Sequence, residues 1–202
     1  MIQLLSSPPS PFARKIRVLL LETGQDDVDI VQVAASPLGP DATIAAATPL
    51  AKIPALVRDD GPTLYDSRVV SQYLNARAKA DFYPQSCRWE TLTLEATGDG
   101  LMDAAVLIVY EKRTRPEGKW HQPWIDGQWA KVARTLDALE DKWMSHLLGP
   151  LDAGHIAVGC GLSYLDFRHA DRDWREGHHA LADWYTKFAE RPSMIATAPP
   201  AA

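Results

Sequence analysis

Two serines near the N-terminus stand where a side chain can stabilise an anion. The segment Ser7-Pro8-Pro9-Ser10-Pro11-Phe12 follows a short apolar run, and an apolar pattern with helical spacing begins directly after it. A hydroxyl at the start of a helix lies beside backbone N–H groups without partners and beside the positive end of the helix dipole. An anion such as a thiolate is stabilised there. Taken alone, Ser10 is better explained as an ordinary N-cap.

A second candidate is the sequence Lys52-Ile53-Pro54. A proline that enters a strand removes a donor from the hydrogen-bond ladder, so this position suits an edge strand, a bend or a cis peptide bond. Such a bend leaves the N–H and C=O of Ile53 free to pair with an extended peptide ligand. Taken alone, a proline at a strand start is more often structural.

The third candidate is the pair Asp66-Ser67 ahead of a helical pattern. The first N–H groups of that helix and the Ser67 hydroxyl suit a carboxylate, and Asp66 suits an ammonium. In isolation, an ordinary helix cap is the better explanation of this pair.

The elements that position these residues form an α/β unit in the first 80 residues. Alternating apolar and polar residues predict strands, and Pro11 and Gly24 mark the start and stop of the first helix. The turn signal Asp59-Asp60-Gly61 predicts a hairpin. The predicted order is βαβαββα, with strands at 2–5, 28–33, 53–57 and 62–65, and helices from Pro11, around 42–47 and from Ser67 to about Lys79.

The remainder of the chain has a different composition. All seven Trp lie at or after Trp89, and residues 1–80 balance eight Lys and Arg against eight Asp and Glu, so the net charge of −5 arises later in the chain. Helical spacing predicts helices at 88–113, 124–148, 155–170 and 178–190, and we expect a loosely ordered tail after Ser193. The predicted domains are 1–80, a linker at 81–87 and an all-helical domain at 88–202.

Composition argues against several classes of function. The apolar run from Ala104 to Tyr110 is far shorter than the ~20 residues of a membrane helix, so we expect a soluble, cytoplasmic protein. An acidic chain without a dense basic cluster gives little reason to bind nucleic acid. The widely separated Cys87 and Cys160 are expected to be buried thiols in a reducing compartment. The adjacent His178 and His179 lack metal-ligand spacing, so no metal site is expected.

The order of the three candidate segments resembles the glutathione S-transferase superfamily. The resemblance rests on Ser10-Pro-Phe-Ala-Arg-Lys-Ile-Arg-Val-Leu-Leu, Thr48-Pro-Leu-Ala-Lys-Ile-Pro-Ala-Leu and Leu64-Tyr-Asp-Ser-Arg-Val-Val-Ser-Gln-Tyr-Leu. Asp99-Gly-Leu-Met-Asp103-Ala and Tyr164-Leu-Asp-Phe-Arg168 look most like the bacterial YibF-like members. The resemblance implies an α+β fold of two domains, in which a thioredoxin-like N-terminal domain with a cis-proline precedes an all-helical domain.

The resemblance also implies a site and a reaction. Ser10, with Ser7 as the second choice, would donate a hydrogen bond to the glutathione sulfur. Ile53 ahead of a cis Pro54 would pair with the cysteinyl unit. The remaining implied site residues are Lys52 for glutathione, Asp66 and Ser67 for its γ-glutamyl end, and Phe12, Asp103 and Tyr110 for an acceptor pocket.

The implied protein is a cytoplasmic homodimer that uses glutathione as co-substrate, without a metal, to conjugate small electrophiles in detoxification. A glutathione-dependent peroxidase or dehalogenase is the alternative enzyme, and a non-catalytic interaction protein is the alternative outside enzymes. Ser10 stands where thiol-transfer classes have cysteine, which disfavours that chemistry.

Three positions depart from the family pattern. Ala51 replaces the usual glycine, and Thr48 replaces a frequent asparagine. The expected Ser/Thr-x-x-Asp capping box of the core helix in the second domain is missing, because His155-Ile-Ala-Val occupies its place.

Overall fold

The computed structural model describes residues 2–200, which form two compact units. One unit runs to Cys87 and takes in the segment that starts at Pro192, and the other runs from Arg88 to Arg191. In the first unit, the elements are β1 (Ile2–Ser6), α1 (Pro11–Glu22), β2 (Val28–Gln32), α2 (Ala42–Ala47), β3 (Ala55–Val57) and α3 (Ser67–Arg77), with a 3₁₀ turn at Gln85–Cys87. In the second, they are α4 (Arg88–Thr114), a 3₁₀ turn at Glu117–Lys119, α5 (Gln122–Ala138), a π-helical segment (Leu139–Trp143), α6 (Met144–Leu147), α7 (Ala153–Arg168) and α8 (His179–Ala189); α9 (Pro192–Ala196) returns to the first unit.

The sheet of the first unit is mixed and has the strand order β2-β1-β3. β1 runs parallel to β2 and antiparallel to β3, with Leu5 opposite Ala55. The predicted strand at 62–65 is wrong in extent, because only Leu64 bridges to Leu56. Pro62 has no N–H for a ladder, and its carbonyl oxygen accepts from Arg58 Nε at 3.0 Å.

The C-terminal segment was expected to be loosely ordered and to belong to the helical domain. Instead, α9 packs against α1, and the buried Arg14 donates from Nη2 to the Met194 carbonyl oxygen at 2.9 Å and from Nε to Thr197 Oγ1 at 3.3 Å. A buried guanidinium needs acceptors, and this segment supplies two of them. The prediction of a loose tail after Ser193 is therefore wrong for residues 194–197.

The core of the helical unit is α7, which is buried from Ala153 to Leu165 and packs along α4. A helix that is apolar all round belongs in the interior. The helices cross closely at Gly98, where an added Cβ would lie 2.7 Å from the carbonyl carbon of Ala157. The predicted helix at 124–148 is confirmed as a continuous helical run from Gln122 to Leu147, but its turns at Leu139–Trp143 are π-helical. None of the helices among residues 2–200 is long and apolar enough to span a membrane.

Candidate functional site

Three segments of the first unit meet at one end of its sheet. β1 leaves the sheet at Ser6 beside the point where β3 enters it at Ala55, because the two strands are antiparallel with Leu5 opposite Ala55. α1 packs against α3, and the charge of Lys15 on α1 helps to lower the pKa of Asp66 at the start of α3. The predicted serines, the Ile53-Pro54 peptide and the Asp66-Ser67 pair therefore lie on segments that converge.

Ser10 is the N-cap of α1 and has extended backbone geometry. Its Oγ accepts from the Ala13 N–H at 3.2 Å, so one lone pair is engaged and the O–H remains able to donate. The predicted helix start is confirmed. The carbonyl oxygen of Ser7 accepts a hydrogen bond from the Ser10 N–H at 3.0 Å. The Ser7 hydroxyl makes no hydrogen bond with the described residues.

The peptide bond between Ile53 and Pro54 is cis. Leu5 pairs with Ala55, and the ladder ends there, so neither the N–H nor the C=O of Ile53 is hydrogen-bonded within residues 2–200. Lys52 is exposed, and its ammonium has no ion pair among those residues. Together they offer an unpaired backbone N–H and C=O just ahead of β3, with a cation at the preceding residue.

Asp66 caps α3 through Oδ1, which accepts from the Arg68 N–H at 3.0 Å, and its Oδ2 pairs with Arg68 Nη2 at 3.1 Å. Burial works to raise the pKa of Asp66, but hydrogen bonds and charge from Arg68, helped by Lys15, lower it below its ordinary value. The carboxylate is therefore ionised and able to bind an ammonium. Ser67 is buried at the first position of α3, and its hydroxyl has no partner in the described chain. The peptide bond before Asp66 is also cis.

The turn before Lys52 explains two departures from the family pattern. Thr48 Oγ1 accepts from the Leu50 N–H at 3.1 Å, which is the turn-forming contact that an asparagine side chain also makes. Ala51 has a φ of 47°, in the left-handed region that favours glycine. The substituted residues thus build the same kind of turn.

Comparison with known proteins decides the family. Residues 4–81 match the glutathione S-transferase N-terminal domain, and residues 122–187 match the glutathione S-transferase C-terminal domain. The chain is 30% identical over 206 residues to the uncharacterized GST-like protein YibF of Escherichia coli (strain K12), with 100% of both chains covered. The chain belongs to the glutathione S-transferase family.

Solved structures of glutathione transferase family members agree with this assignment. One structure, from Pseudomonas fluorescens Pf-5 with bound glutathione, is 45% identical to this chain and superposes on it with a TM-score of 0.96. The match covers 100% of both chains. A second structure from that organism contains S-(propanoic acid)-glutathione; it is 44% identical with a TM-score of 0.91, and the match covers 99% of this chain and 100% of that one. The predicted fold, a thioredoxin-like domain followed by a helical domain, is confirmed.

The three residues predicted for an acceptor pocket are not brought together within one unit. Phe12 is the second residue of α1, whereas Asp103 and Tyr110 belong to α4. Tyr110 lines a cavity of about 680 Å³ in the helical unit, and Asp103 is exposed outside that lining. The cavity is lined by Leu107, Tyr110, Glu111, Thr114, Arg115, Lys119, Trp120, His121 and Trp124. Of these, sequence reasoning found only Tyr110, although three aromatic residues and two cations within a short stretch were a readable signal.

The capping box that this family member was expected to lack is present in altered form. Asp152 is the N-cap of α7, where its Oδ1 accepts from the His155 N–H at 3.1 Å. His155 Nδ1 lies 2.7 Å from Asp152 Oδ1 and 3.3 Å from the Asp152 backbone N, which gives the reciprocal contact of the box. α7 therefore begins at Ala153, two residues before the predicted start. His155 occupies the third helical position, where the usual capping box has a carboxylate. The Ser/Thr-x-x-Asp motif is therefore absent from the sequence, although the helix is capped.

His146, Asp152 and His155 are also residue types that bind metals, and their ligand atoms lie within 4.8 Å of one another. Asp152 Oδ2 accepts from His146 Nε2 at 2.7 Å and from Thr91 Oγ1 at 2.6 Å. With the two contacts at Oδ1, all of about four lone-pair sites of the carboxylate are used. This hydrogen bonding accounts for the Asp152 carboxylate as a buried cap, whereas His155 Nε2 is buried without a hydrogen-bond partner in the described chain.

Proposed function

We propose that this protein binds glutathione in its first unit and transfers it to a small electrophile. The observation that carries the proposal is the convergence of a helix-capping serine, the unpaired backbone N–H and C=O of Ile53 and a capping aspartate at one sheet end. These groups match the thiol, the peptide backbone and the amino-acid end of one tripeptide. The relative with bound glutathione supports the same ligand.

In the proposed complex, Ile53 pairs its free N–H and C=O with the cysteinyl unit, as in strand addition. Ser67 and the first N–H groups of α3 hold the γ-glutamyl carboxylate, and Asp66 holds its ammonium, for which it exchanges part of its pairing with Arg68. Lys52 supplies a cation for a glutathione carboxylate. Each contact uses a group that is exposed or without a partner in the described chain, apart from Asp66 and the Arg68 N–H, which bind each other.

Ser10 would activate the thiol. Its Oγ accepts from α1 and its O–H donates to the sulfur, and the N-terminus of α1 adds favourable electrostatics for the thiolate. The thiol loses its proton to solvent, and the thiolate attacks an electrophilic carbon. If the electrophile carries a leaving group, that group departs with the bonding electron pair. If the electrophile is an activated double bond, the adduct takes up a proton. The thioether found in a relative, S-(propanoic acid)-glutathione, is the type of product that such attack forms.

A thermal-shift titration with reduced glutathione tests the binding. A ligand that binds only the folded state raises the melting temperature as its concentration passes the Kd, so we expect a concentration-dependent rise. Ophthalmic acid, which has a methyl group in place of the thiol, is the matched ligand for the contribution of sulfur. The absence of a rise at millimolar glutathione would contradict the proposal.

The role of Ser10 is tested by following thiolate absorbance in the ultraviolet at saturating glutathione. Ser10→Ala should raise the pKa of the bound thiol by about one to two, since a hydrogen bond to a charged group contributes about 1.5–3 kcal/mol. Ser7→Ala is the matched control and should change this pKa less. Ser10→Ala also removes a helix cap, at a cost of about 1 kcal/mol, so thiolate is compared only among folded samples. The opposite ranking of the two variants would transfer the role to Ser7.

We further propose, on the family resemblance, that the protein is a homodimer. Light scattering should then give twice the chain mass of 22.3 kDa. Elution and scattering at the monomer mass over a range of concentrations would reject this assembly.

A further inference from the structure

The N-terminus of α7 holds more metal-binding chemistry than a helix cap requires. His146, Asp152 and His155 bring two imidazoles and one carboxylate together, and their ligand atoms all lie within 4.8 Å of one another. Asp152 and His155 are each only 2% exposed. The Asp152 carboxylate alone caps the helix, and a glutamate or glutamine is the usual residue that completes a capping box. Capping therefore does not explain why two imidazoles flank this carboxylate.

The hydrogen bonds of His155 cannot all form at once. Its Nδ1 lies 2.7 Å from Asp152 Oδ1, which requires a proton on Nδ1, and 3.3 Å from the Asp152 backbone N, whose N–H requires a bare Nδ1. Its Nε2 is buried and has no partner in the described chain. An imidazole at this position therefore leaves a buried polar group unpaired in either neutral tautomer. Such a group needs an explanation, of which a bound ion is one.

The Asp152 carboxylate is oriented by two further groups. Thr91 Oγ1 donates to Oδ2 at 2.6 Å, and the His155 backbone N–H donates to Oδ1 at 3.1 Å. Each oxygen also faces one imidazole nitrogen, since His146 Nε2 lies 2.7 Å from Oδ2 and His155 Nδ1 lies 2.7 Å from Oδ1. Outer hydrogen bonds of this kind commonly fix the direction of a metal ligand.

The distances in this cluster are close to those of a zinc site. Zinc binds imidazole nitrogen and carboxylate oxygen at about 2.0–2.2 Å, so neighbouring ligand atoms lie about 2.9–3.4 Å apart. The two nitrogen–oxygen distances of 2.7 Å need to widen by a few tenths of an ångström, and the two imidazole nitrogens need to approach each other. Rotation of His146, whose side chain is 17% exposed, supplies this movement and admits water as a fourth ligand.

We propose that His146, Asp152 and His155 bind Zn²⁺ at the N-terminus of α7. Zinc replaces the two imidazole–carboxylate hydrogen bonds, and each neutral histidine keeps its proton on the other ring nitrogen. Thr91 and the His155 N–H continue to hold the carboxylate, and the bonds to zinc offset the cost of the unpaired His155 Nε2. Two nitrogen ligands disfavour Mg²⁺ and Ca²⁺, which prefer oxygen. The site lies within the helical unit and does not depend on the proposed glutathione chemistry.

Calorimetric titration of Zn²⁺ into the full-length protein tests this site. The protein carries no histidine tag, has been treated with a chelator and contains no glutathione. We expect one zinc per chain. The melting temperature should rise by about 5–10 °C at free zinc about 100 times the Kd, because zinc binds the folded cap. No binding up to about 100 μM zinc, or an equal effect of Mg²⁺, would overturn the proposal.

His155→Gln separates the metal from the cap, because glutamine completes a capping box but lacks the imidazole. Without zinc, this variant should melt within about 4 °C of the natural protein. Its zinc affinity should fall by at least about tenfold, since even the loss of an outer partner of a ligand has an effect of that size. Unchanged zinc affinity would overturn the proposal.

His146→Gln tests the second imidazole at a partly exposed position, and it keeps the proposal testable if His155→Gln does not fold. We expect the same loss of at least about tenfold in zinc affinity. His179→Gln removes an exposed histidine outside the cluster and should bind zinc as the natural protein does. Unchanged affinity in His146→Gln, or an equal loss in His179→Gln, would place the zinc elsewhere and overturn the assignment.

Discussion

At the scale of single residues, Ala51 shows how a substitution can retain a turn and still cost stability. Its φ of 47° is unfavourable for a residue with a Cβ by about 1–2 kcal/mol. Ala51→Gly relieves this backbone strain. It also increases the entropy of the unfolded chain and removes the contact of the Ala51 methyl group with the apolar cluster around Leu5 and Ile44. We therefore expect a net gain of only about 0.5 kcal/mol in unfolding free energy, measured by urea denaturation. Ala45→Gly, at an exposed helical position, should lose about 1 kcal/mol, and a loss of that size at Ala51 would contradict the role of φ.

Asp152 should make stability depend on acid pH. Burial raises its pKa, but hydrogen bonds from His155, Thr91 and His146 outweigh burial and place the pKa far below the ordinary value. A carboxylate whose folded-state pKa is lowered contributes stability above its unfolded-state pKa of about 4, and this contribution is lost as the pH falls towards the folded-state pKa.

Asp152→Asn should therefore lower the unfolding free energy at pH 7 by about 3 kcal/mol, because it breaks a buried charged network. Below about pH 4, its unfolding free energy should fall less steeply than that of the natural protein. Asp183→Asn, at an exposed aspartate without a described partner, should stay within about 0.5 kcal/mol at each pH. Parallel acid profiles for Asp152→Asn and the natural protein would refute this role.

At the scale of elements, the ends of a helix could be predicted from the sequence where the residues that determine them lie within a few positions of the end. Ser10, Pro11 and Gly24 predicted both ends of α1 because capping uses backbone groups within a few residues. The start of α7 was missed because its capping box uses an unusual histidine. The π-helical turns that follow α5 have no local signal that we recognise. In the site, residue types predicted the candidates, but only the strand register shows that their segments converge.

The α4–α7 crossing gives a matched pair of glycines on one helix. A Cβ at Gly98 would lie 2.7 Å and 2.8 Å from backbone atoms of Ala157 and Val158, whereas a Cβ at Gly100 would meet no atom within 4 Å. Gly98→Ala should therefore destabilise the protein by about 1–3 kcal/mol through overpacking, while Gly100→Ala should stabilise it by up to about 1 kcal/mol through helix propensity. Denaturant unfolding measures both, and equal effects at the two sites would mean that α4 and α7 do not approach as closely as described.

At the scale of the whole molecule, the segment from Pro192 returns to the first unit. α9 follows the helical unit in sequence but packs against α1, a relation across about 180 positions that periodicity cannot reveal. The division of the sequence by composition therefore differs from the division of the structure into units. The segment from Pro192 belongs to the same unit as the residues that precede Arg88.

This return predicts energetic coupling between Arg14 and the C-terminal segment. Truncation after Arg191 removes the Met194 carbonyl and Thr197 hydroxyl that accept from the buried guanidinium, and it should cost about 3 kcal/mol, because the charge loses hydrogen bonds that offset its desolvation. Arg14→Met should destabilise the full chain but much less the truncated chain, because there the guanidinium no longer has these two acceptors. Urea unfolding of the four proteins gives the coupling energy, which we expect to exceed about 1 kcal/mol. Additive effects would show that α9 stabilises the first unit through apolar packing and not through Arg14.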